Sequence, residues 1–429
     1  MTPAEEFLQA AESLYCRAAG FVRSVAVTLT TACNLRCSYC YQSRERSRTV
    51  SWDVVRAALD LVISSPHPGR RASFTGGEPL LAFPLLRRAV NYVCNHSAAS
   101  SRPTLIVGTN GILLDRHVAS FLASHHIRTQ LSMDGVAAAQ DDRGAGSFDQ
   151  LDTLLRDLGR EFPAYFRDCL SVHSTLTSRN VGYLAASIRY FLHRGVTRLV
   201  VTPLITHDGG WRTEMSRILD QQFDEIRKLS LSHWRRTRET PLTLFRRVQR
   251  PQTARPRLTV MCGLSEGDGV FVDVDGDVFA CPAFGGDPAA PAGELLREAR
   301  EATCVGNIRE AGLVQRLSVS RAAMREVSML NQREAKYSSY GRCAECEERA
   351  SCQVCPASIG HIPGSTDPHR VPDLQCAFNL AAGKHSRRLL EEVERAPVAP
   401  LNRSRPLQRA PGWHESRLPK RRFPSRTVT

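Results

Sequence analysis

The chain has 429 residues, 42% of them hydrophobic and 23% charged, enough to bury one large core with a smaller domain beside it. No window of about 18 apolar residues occurs, and the first 20 residues lack a basic start followed by an apolar block. A membrane span and a signal peptide are therefore not expected, and the default reading is a soluble, cytoplasmic protein. Formal net charge is +14, and the stretch 396–429 carries eight basic residues against one acidic residue, Glu415. With only Trp413 and Phe423 as aromatics there, it reads as a solvated, disordered tail and not as a nucleic-acid binder.

Residues 1–23 predict a short helix, with Phe7, Ala10, Leu14 and Ala18 at helical spacing. A regular alternation follows over 24–239. Runs rich in Val, Leu, Ile and Thr at 24–30, 72–75, 104–108, 127–133, 170–176 and 198–204 predict strands. Helical patterns lie near 51–64, 83–97, 115–124, 148–160, 181–194 and 213–236. Six βα units imply a parallel sheet with right-handed crossovers. They are too few to close an eight-stranded barrel. The expected fold is α/β, a partial (β/α)6 TIM-like barrel with its chemistry at the carboxyl ends of the strands. Residues 240–260 are rich in proline and arginine and read as a linker. A cysteine-bearing region spans 261–395. It opens with two alternating strands, Val270 to Ala280, around Asp275-Gly276, a hairpin signal.

Fourteen cysteines need a reason. Disulfides are not expected in a reducing compartment, and the clustering points to metal or cluster ligation. Cys33, Cys37 and Cys40 follow the first strand with the spacing C-x3-C-x2-C. Three thiolates on one loop can hold three irons of a cubane and leave the fourth iron for a small chelating molecule; taken alone, the same trio also suits a zinc loop. Further polar motifs stand at strand ends: Thr75-Gly76-Gly77-Glu78-Pro79, Gly108-Thr109-Asn110-Gly111, Ser132-Met133-Asp134-Gly135 with Arg143 beyond, and Thr202-Pro203-Leu204. Cys16, Cys94 and Cys169 lie in helical or strand patterns and read as small buried apolar residues.

The three-cysteine loop, with Tyr39 before the third cysteine and Gly-Gly-Glu at the next strand end, closely resembles the radical S-adenosylmethionine (SAM) enzymes over residues 24–204. The resemblance implies a [4Fe–4S] cluster on Cys33, Cys37 and Cys40 and SAM chelating its open iron. Carried over residue by residue, it places Gly76, Gly77 and Glu78 at the cofactor's ammonium, Asn110 and Ser132 at its ribose or carboxylate, Arg143 at its carboxylate and Tyr39 near its adenine. Leu204 would present backbone to the adenine. Reduction of the cluster would split the cofactor into methionine and a 5′-deoxyadenosyl radical able to take hydrogen from an unactivated carbon. No residue suggests itself as the proton acceptor.

The later cysteines resemble a SPASM domain. Cys262, Gly276 and Cys281 match its opening pattern, and Cys343, Cys346 and Cys352 match its second. Cys355 follows after two residues where the pattern has three, and Cys376 supplies the lone final cysteine. The resemblance implies two auxiliary [4Fe–4S] clusters with crossed ligation. Cys343, Cys346, Cys352 and Cys376 would hold the outer one, and Cys262, Cys281 and Cys355 the inner one. Residues 254–261 lack the extra cysteine of many relatives, so the inner cluster has an open iron or an unidentified ligand, with Cys304 a remote substitute. A four-thiolate zinc site over Cys343–Cys355 is the alternative.

Relatives with SPASM domains mostly act on peptides or proteins. A ribosomally made peptide is therefore the expected substrate, with a cross-link (thioether or carbon–carbon) or an oxidised residue as product. A reductant such as flavodoxin or ferredoxin is the partner implied, and leader recognition falls to the barrel, to the SPASM region or to a separate leader-binding protein; no nucleic acid or membrane is implied. Sulfatase maturation is the alternative, against which stands Pro282, where sulfatase-maturing relatives carry Asp after the second SPASM cysteine. Radical chemistry on a small molecule is a further alternative, and a non-catalytic iron–sulfur or zinc-binding interaction protein is the remote one.

Overall fold

The computed structural model describes residues 22–42, 47–66, 69–246, 269–285, 294–313, 315–317, 334–349, 352 and 354–396. The helix expected within 1–23, Cys16, Cys262 and the basic tail lie outside these, apart from the ends Val22, Arg23 and Ala396. All described residues belong to one compact unit, Met1–Ala396.

Six βα units are present in the expected order. The strands are β1 (Ser24–Thr30), β2 (Arg71–Gly76), β3 (Thr104–Thr109), β4 (Arg128–Ser132), β5 (Leu170–Leu176) and β6 (Leu199–Pro203). The helices following them are α1 (Trp52–Ile63), α2 (Phe83–His96), α3 (Arg116–Ser124), α4 (Ser147–Glu161), α5 (Leu184–His193) and α6 (Met215–Thr237). Neighbouring strands pair in parallel throughout, from β1 with β2 to β5 with β6. Val25, Val27 and Leu29 of β1 are buried, as are Val54, Val55, Ala58, Leu59 and Val62 of α1. An apolar stripe with a period near 3.6 thus covers a strand whose Val25, Val27 and Leu29 recur at every second position.

The expected hairpin forms as β7 (Gly269–Val272) and β8 (Asp277–Phe279). It is not a separate body. β7 pairs in parallel with β1, Ser24 opposite Gly269 through Val27 opposite Val272, so the sheet runs β6-β5-β4-β3-β2-β1-β7-β8-β9, with β9 at Gly306–Asn307. Of the stretch read as a linker, 240–246 packs against β6. Leu242 and Phe245 are buried, and the Leu199 N–H donates to the Pro241 carbonyl at 2.9 Å; 247–260 lies outside the described residues.

The cysteine-rich region adds α7 (Glu294–Thr303), a two-stranded ribbon of β10 (Tyr337–Ser338) and β11 (Gly341–Arg342), and α8 (Asp373–Glu394). The helix α8 lies along α6. Phe378 and Phe223 meet edge to face at 5.5 Å, and Lys384 pairs with Asp220 at 2.8 Å. Arg227 on α6 also pairs with Glu392 on α8. Among the described residues no helix is long and apolar enough to cross a membrane.

Candidate active site

The loop carrying Cys33, Cys37 and Cys40 leaves the carboxyl end of β1 and is held from several sides before any metal is considered. Its first residues lie against the end of β2: the Gly77 N–H donates to the Thr30 carbonyl and the Glu78 N–H to the Ala32 carbonyl, both at 2.8 Å. No side chain fits there. A Cβ at Gly76 would stand 2.2 Å from the Thr30 oxygen, and one at Gly77 2.2 Å from the Ala32 oxygen. Gly76 also has φ +137°, a conformation L side chains rarely adopt. From the end of β3, Asn110 Nδ2 donates to Asn34 Oδ1 at 2.7 Å and approaches Cys33 Sγ at 3.8 Å. From beyond β4, the Asp142 carbonyl accepts from the Ser38 N–H at 2.8 Å.

Glu78 is fully buried. Its carboxylate accepts from the Thr109 hydroxyl and the Asn110 N–H, each at 2.7 Å, and from the Leu80 N–H at 3.1 Å. It therefore ties β2 to β3 beneath the cysteine loop. Burial pushes its pKa up, and these hydrogen bonds oppose the shift.

Tyr39 and Arg143 meet on Asp134, a buried residue just past the end of β4 that is not among the expected site residues. Asp134 Oδ1 accepts from Arg143 at 3.0 Å and from the Thr175 N–H at 2.8 Å, while Oδ2 accepts from the Tyr39 hydroxyl. The Arg143 guanidinium lies 5.5 Å from the centre of the Tyr39 ring. Burial works against the charge on Arg143, but Asp134 and Tyr39 more than offset this and its pKa is raised. Its Nε is buried with no hydrogen-bond partner. Beneath it His173 is held neutral, its pKa lowered to about 4 by burial and by Arg143. Ser132 ends β4, opposite His173.

Burial raises the pKa of the Cys33 and Cys37 thiols, and Arg143 opposes this at Cys37. Thiolates are the metal ligands, so loading such a loop releases protons.

The later cysteines fall into two groups. Cys343, Cys346, Cys352 and Cys376 line one pocket together with Lys336 and Glu348. The ribbon of β10 and β11 delivers the first of them, a single turn of 3-10 helix at Cys343–Glu345 separates it from the second, and α8 carries Cys376. Burial raises Cys376 to about 11, although the Ser338 hydroxyl donates to its sulfur at 3.0 Å. Cys281 and Cys355 pack against the main core instead. The Cys355 N–H donates to Gln375 Oε1 at 3.5 Å, and Gln375 Nε2 donates to the Leu204 carbonyl at 3.3 Å, at the end of β6. Tyr41, 39% exposed, lies within electrostatic reach of both Cys40 and Cys281. Cys304 is exposed, and Cys94 and Cys169 are half-buried. Cys262 lies outside the described residues.

The donor sets fit iron–sulfur clusters: soft thiols, three on the first loop and four around one pocket. Among the described residues, no three His, Cys, Asp or Glu side chains converge on a position for a single metal ion; a cubane takes its thiolates on separate irons. The unpartnered Arg143 Nε beside the first loop is a donor suited to a carboxylate such as SAM carries.

Residues 27–185 match the model of the Radical SAM superfamily. An uncharacterized protein of Methanocaldococcus jannaschii is 24% identical over 296 residues, 68% of this chain and 91% of that one. Among solved structures, native anSMEcpe, an anaerobic sulfatase maturase, with bound AdoMet and Kp18Cys peptide is similar at TM-score 0.64 and 16% identity, covering 86% of this chain and 99% of that one. Streptococcus suis SuiB bound to precursor peptide SuiA is similar at TM-score 0.54 and 14% identity, covering 88% and 82%.

Proposed function

Residues 27–185 form a radical SAM domain, with a SPASM-like cysteine-rich region after it, and from this premise we propose that the chain is a maturase acting on a ribosomally made peptide. The observation that carries the proposal is the loop of Cys33, Cys37 and Cys40, fastened to three strand ends, with the Tyr39–Asp134–Arg143 network beside it. When bound there, the cluster and SAM supply a 5′-deoxyadenosyl radical able to abstract hydrogen from an unactivated carbon. The chain's residues provide position. Gly76 and Gly77 let backbone approach where a side chain would collide. Asn110 braces the loop and faces the cofactor's polar groups with Ser132. Arg143, fixed by Asp134, turns its free Nε to the methionyl carboxylate. Glu78 sets the strand ends from below and favours the ammonium through its charge. Tyr39 closes the adenine side.

Cys343, Cys346, Cys352 and Cys376 hold an outer auxiliary [4Fe–4S] cluster in this reading. Cys281 and Cys355 hold an inner one with Cys262, with an iron left open or a further ligand. Gln375 joins the inner group to the end of β6, a route by which substrate position and auxiliary cluster are kept in register. Peptide is the favoured substrate because the anSMEcpe and SuiB structures named above each carry one. A reductant such as flavodoxin or ferredoxin delivers the electron, and the barrel, the SPASM-like region or a separate leader-binding protein recognises the leader. Sulfatase maturation is the second reading, favoured by the higher TM-score to anSMEcpe and opposed by Pro282 after Cys281.

The test is anaerobic reconstitution followed by incubation with SAM, dithionite and small peptides encoded beside the gene. Production of 5′-deoxyadenosine with loss of two hydrogens from a peptide is the expected result. Deoxyadenosine with conversion of a sulfatase-derived cysteine or serine peptide instead would select the second reading. A loaded protein that never cleaves SAM would sink both.

A further inference from the structure

Lys336 is a buried charge that the reading above leaves unexplained. It is 1% exposed, and among the described residues its ammonium donates to one acceptor, the Pro368 carbonyl at 2.9 Å. An ammonium has three donors, and sinking one into a protein without a counter-charge is strongly unfavourable. One acid, Asp367, lies within electrostatic reach of the ammonium, and both of its oxygens are spent on neutral donors. Asp367 accepts from the Tyr337 hydroxyl at 2.7 Å and from the His369 N–H at 2.8 Å. Glu348, buried in the same pocket, is paired with Arg387. Arg349 also lines the pocket but is exposed. Lys336 also lines one pocket with four thiols, Cys343, Cys346, Cys352 and Cys376, and lies within electrostatic reach of the first of them. Its own carbonyl accepts from the Cys343 N–H at 2.9 Å, which fixes the spacing between the lysine and the first of the four.

We infer that Lys336 is the counter-ion of the centre held by those four cysteines, a positioning residue that sets how readily this centre accepts an electron. The inference rests on the proposed assignment of an outer cluster to the four thiolates. A cubane with four thiolates is anionic and gains a further negative charge on one-electron reduction. A fixed cation in a poorly solvated pocket stabilises the reduced form more than the oxidised one. The electron comes from the reductant used, and no bond is made or broken at Lys336.

The experiment is an anaerobic redox titration with dithionite, followed by electron paramagnetic resonance, on full-length reconstituted wild type, Lys336→Met, Lys336→Arg and the double variant Cys343→Ala/Cys376→Ala. The signal and irons missing from the double variant belong to the outer centre. In Lys336→Met that centre should load fully, with its one-electron equilibrium displaced about tenfold toward the oxidised form, about 59 mV more negative. Lys336→Arg should stay within about twofold of wild type, because it keeps the charge. A fully loaded Lys336→Met with an unchanged equilibrium overturns the inference while leaving the cluster assignment intact. Unchanged iron in the double variant overturns the assignment and the inference with it. Should Lys336→Met fail to hold the outer centre, recovery of that centre in Lys336→Arg supports the counter-ion role. Failure of both variants makes the residue a packing element and overturns the inference.

Discussion

At Gly77 an added methyl carbon would collide with two carbonyl oxygens of the cysteine loop, at 2.2 Å from Ala32 and 2.6 Å from Thr31. The Ala32 oxygen cannot retreat without breaking the hydrogen bond from the Glu78 N–H that holds the loop. Gly77→Ala should therefore cost about 1–3 kcal/mol of stability, measurable by denaturant unfolding, and lower the iron retained on Cys33, Cys37 and Cys40. His173 gives a pH signature. Its pKa falls from 6.5 to about 4 on folding, so the unfolded chain binds the extra proton between these values. Stability should drop as pH is lowered through that window, by up to about 3 kcal/mol at 1.36 kcal/mol per unit. His173→Gln should flatten the dependence in thermal melts at pH 4 to 7. Arg143→Lys keeps a charge but loses the Nε donor; an increase of about 10- to 100-fold in the SAM concentration for half-maximal cleavage is expected. At this scale the cysteines and the Gly-Gly-Glu were legible because their spacing is itself the signal. Asp134, Lys336 and Gln375 were not, since a single buried polar residue leaves no period in a sequence, and its partners are distant in the chain.

The six strand–helix units stand within a few residues of their expected bounds, and β1 and β5 match them to the residue. Their apolar faces are regular, and Gly, Pro and polar clusters separate them. The long helix α8 is not among the elements expected from the sequence, where the stretch around Cys376 is marked by its cysteine alone. Its own signal is present: Leu374, Ala377, Phe378, Ala381, His385 and Leu389 are buried at helical spacing. The short helix Pro163–Asp168 was missed as well; six residues are too few to show a period. Phe378 joins α8 to α6 through Phe223. Phe378→Ala should cost about 3–5 kcal/mol. Because Cys376 lies on the same helix, the proposed outer cluster should lose its iron in this variant at a lower denaturant concentration than the first loop does, a sequence that iron release and visible absorbance can follow in one titration.

Across the whole molecule the hairpin of β7 and β8 makes β1 an interior strand. The sequence pointed to the hairpin but not to its partner, because strand pairing across more than 240 residues depends on the closed fold and not on local pattern. A chain ending at residue 246 would leave the edge of β1 unpaired. It should aggregate at concentrations where the full chain is monodisperse in sedimentation, as bare hydrophobic edges do. The braces on the first loop carry a different consequence. Thr30, Ala32, Asn34 and Ser38 are all fastened by ordinary amide and carbonyl groups, none of which involves sulfur. If the loop holds the proposed cluster, oxygen damage that strips its iron should remove an inhabitant and spare the house, so that repair would require delivery of iron and sulfide without a fresh round of synthesis.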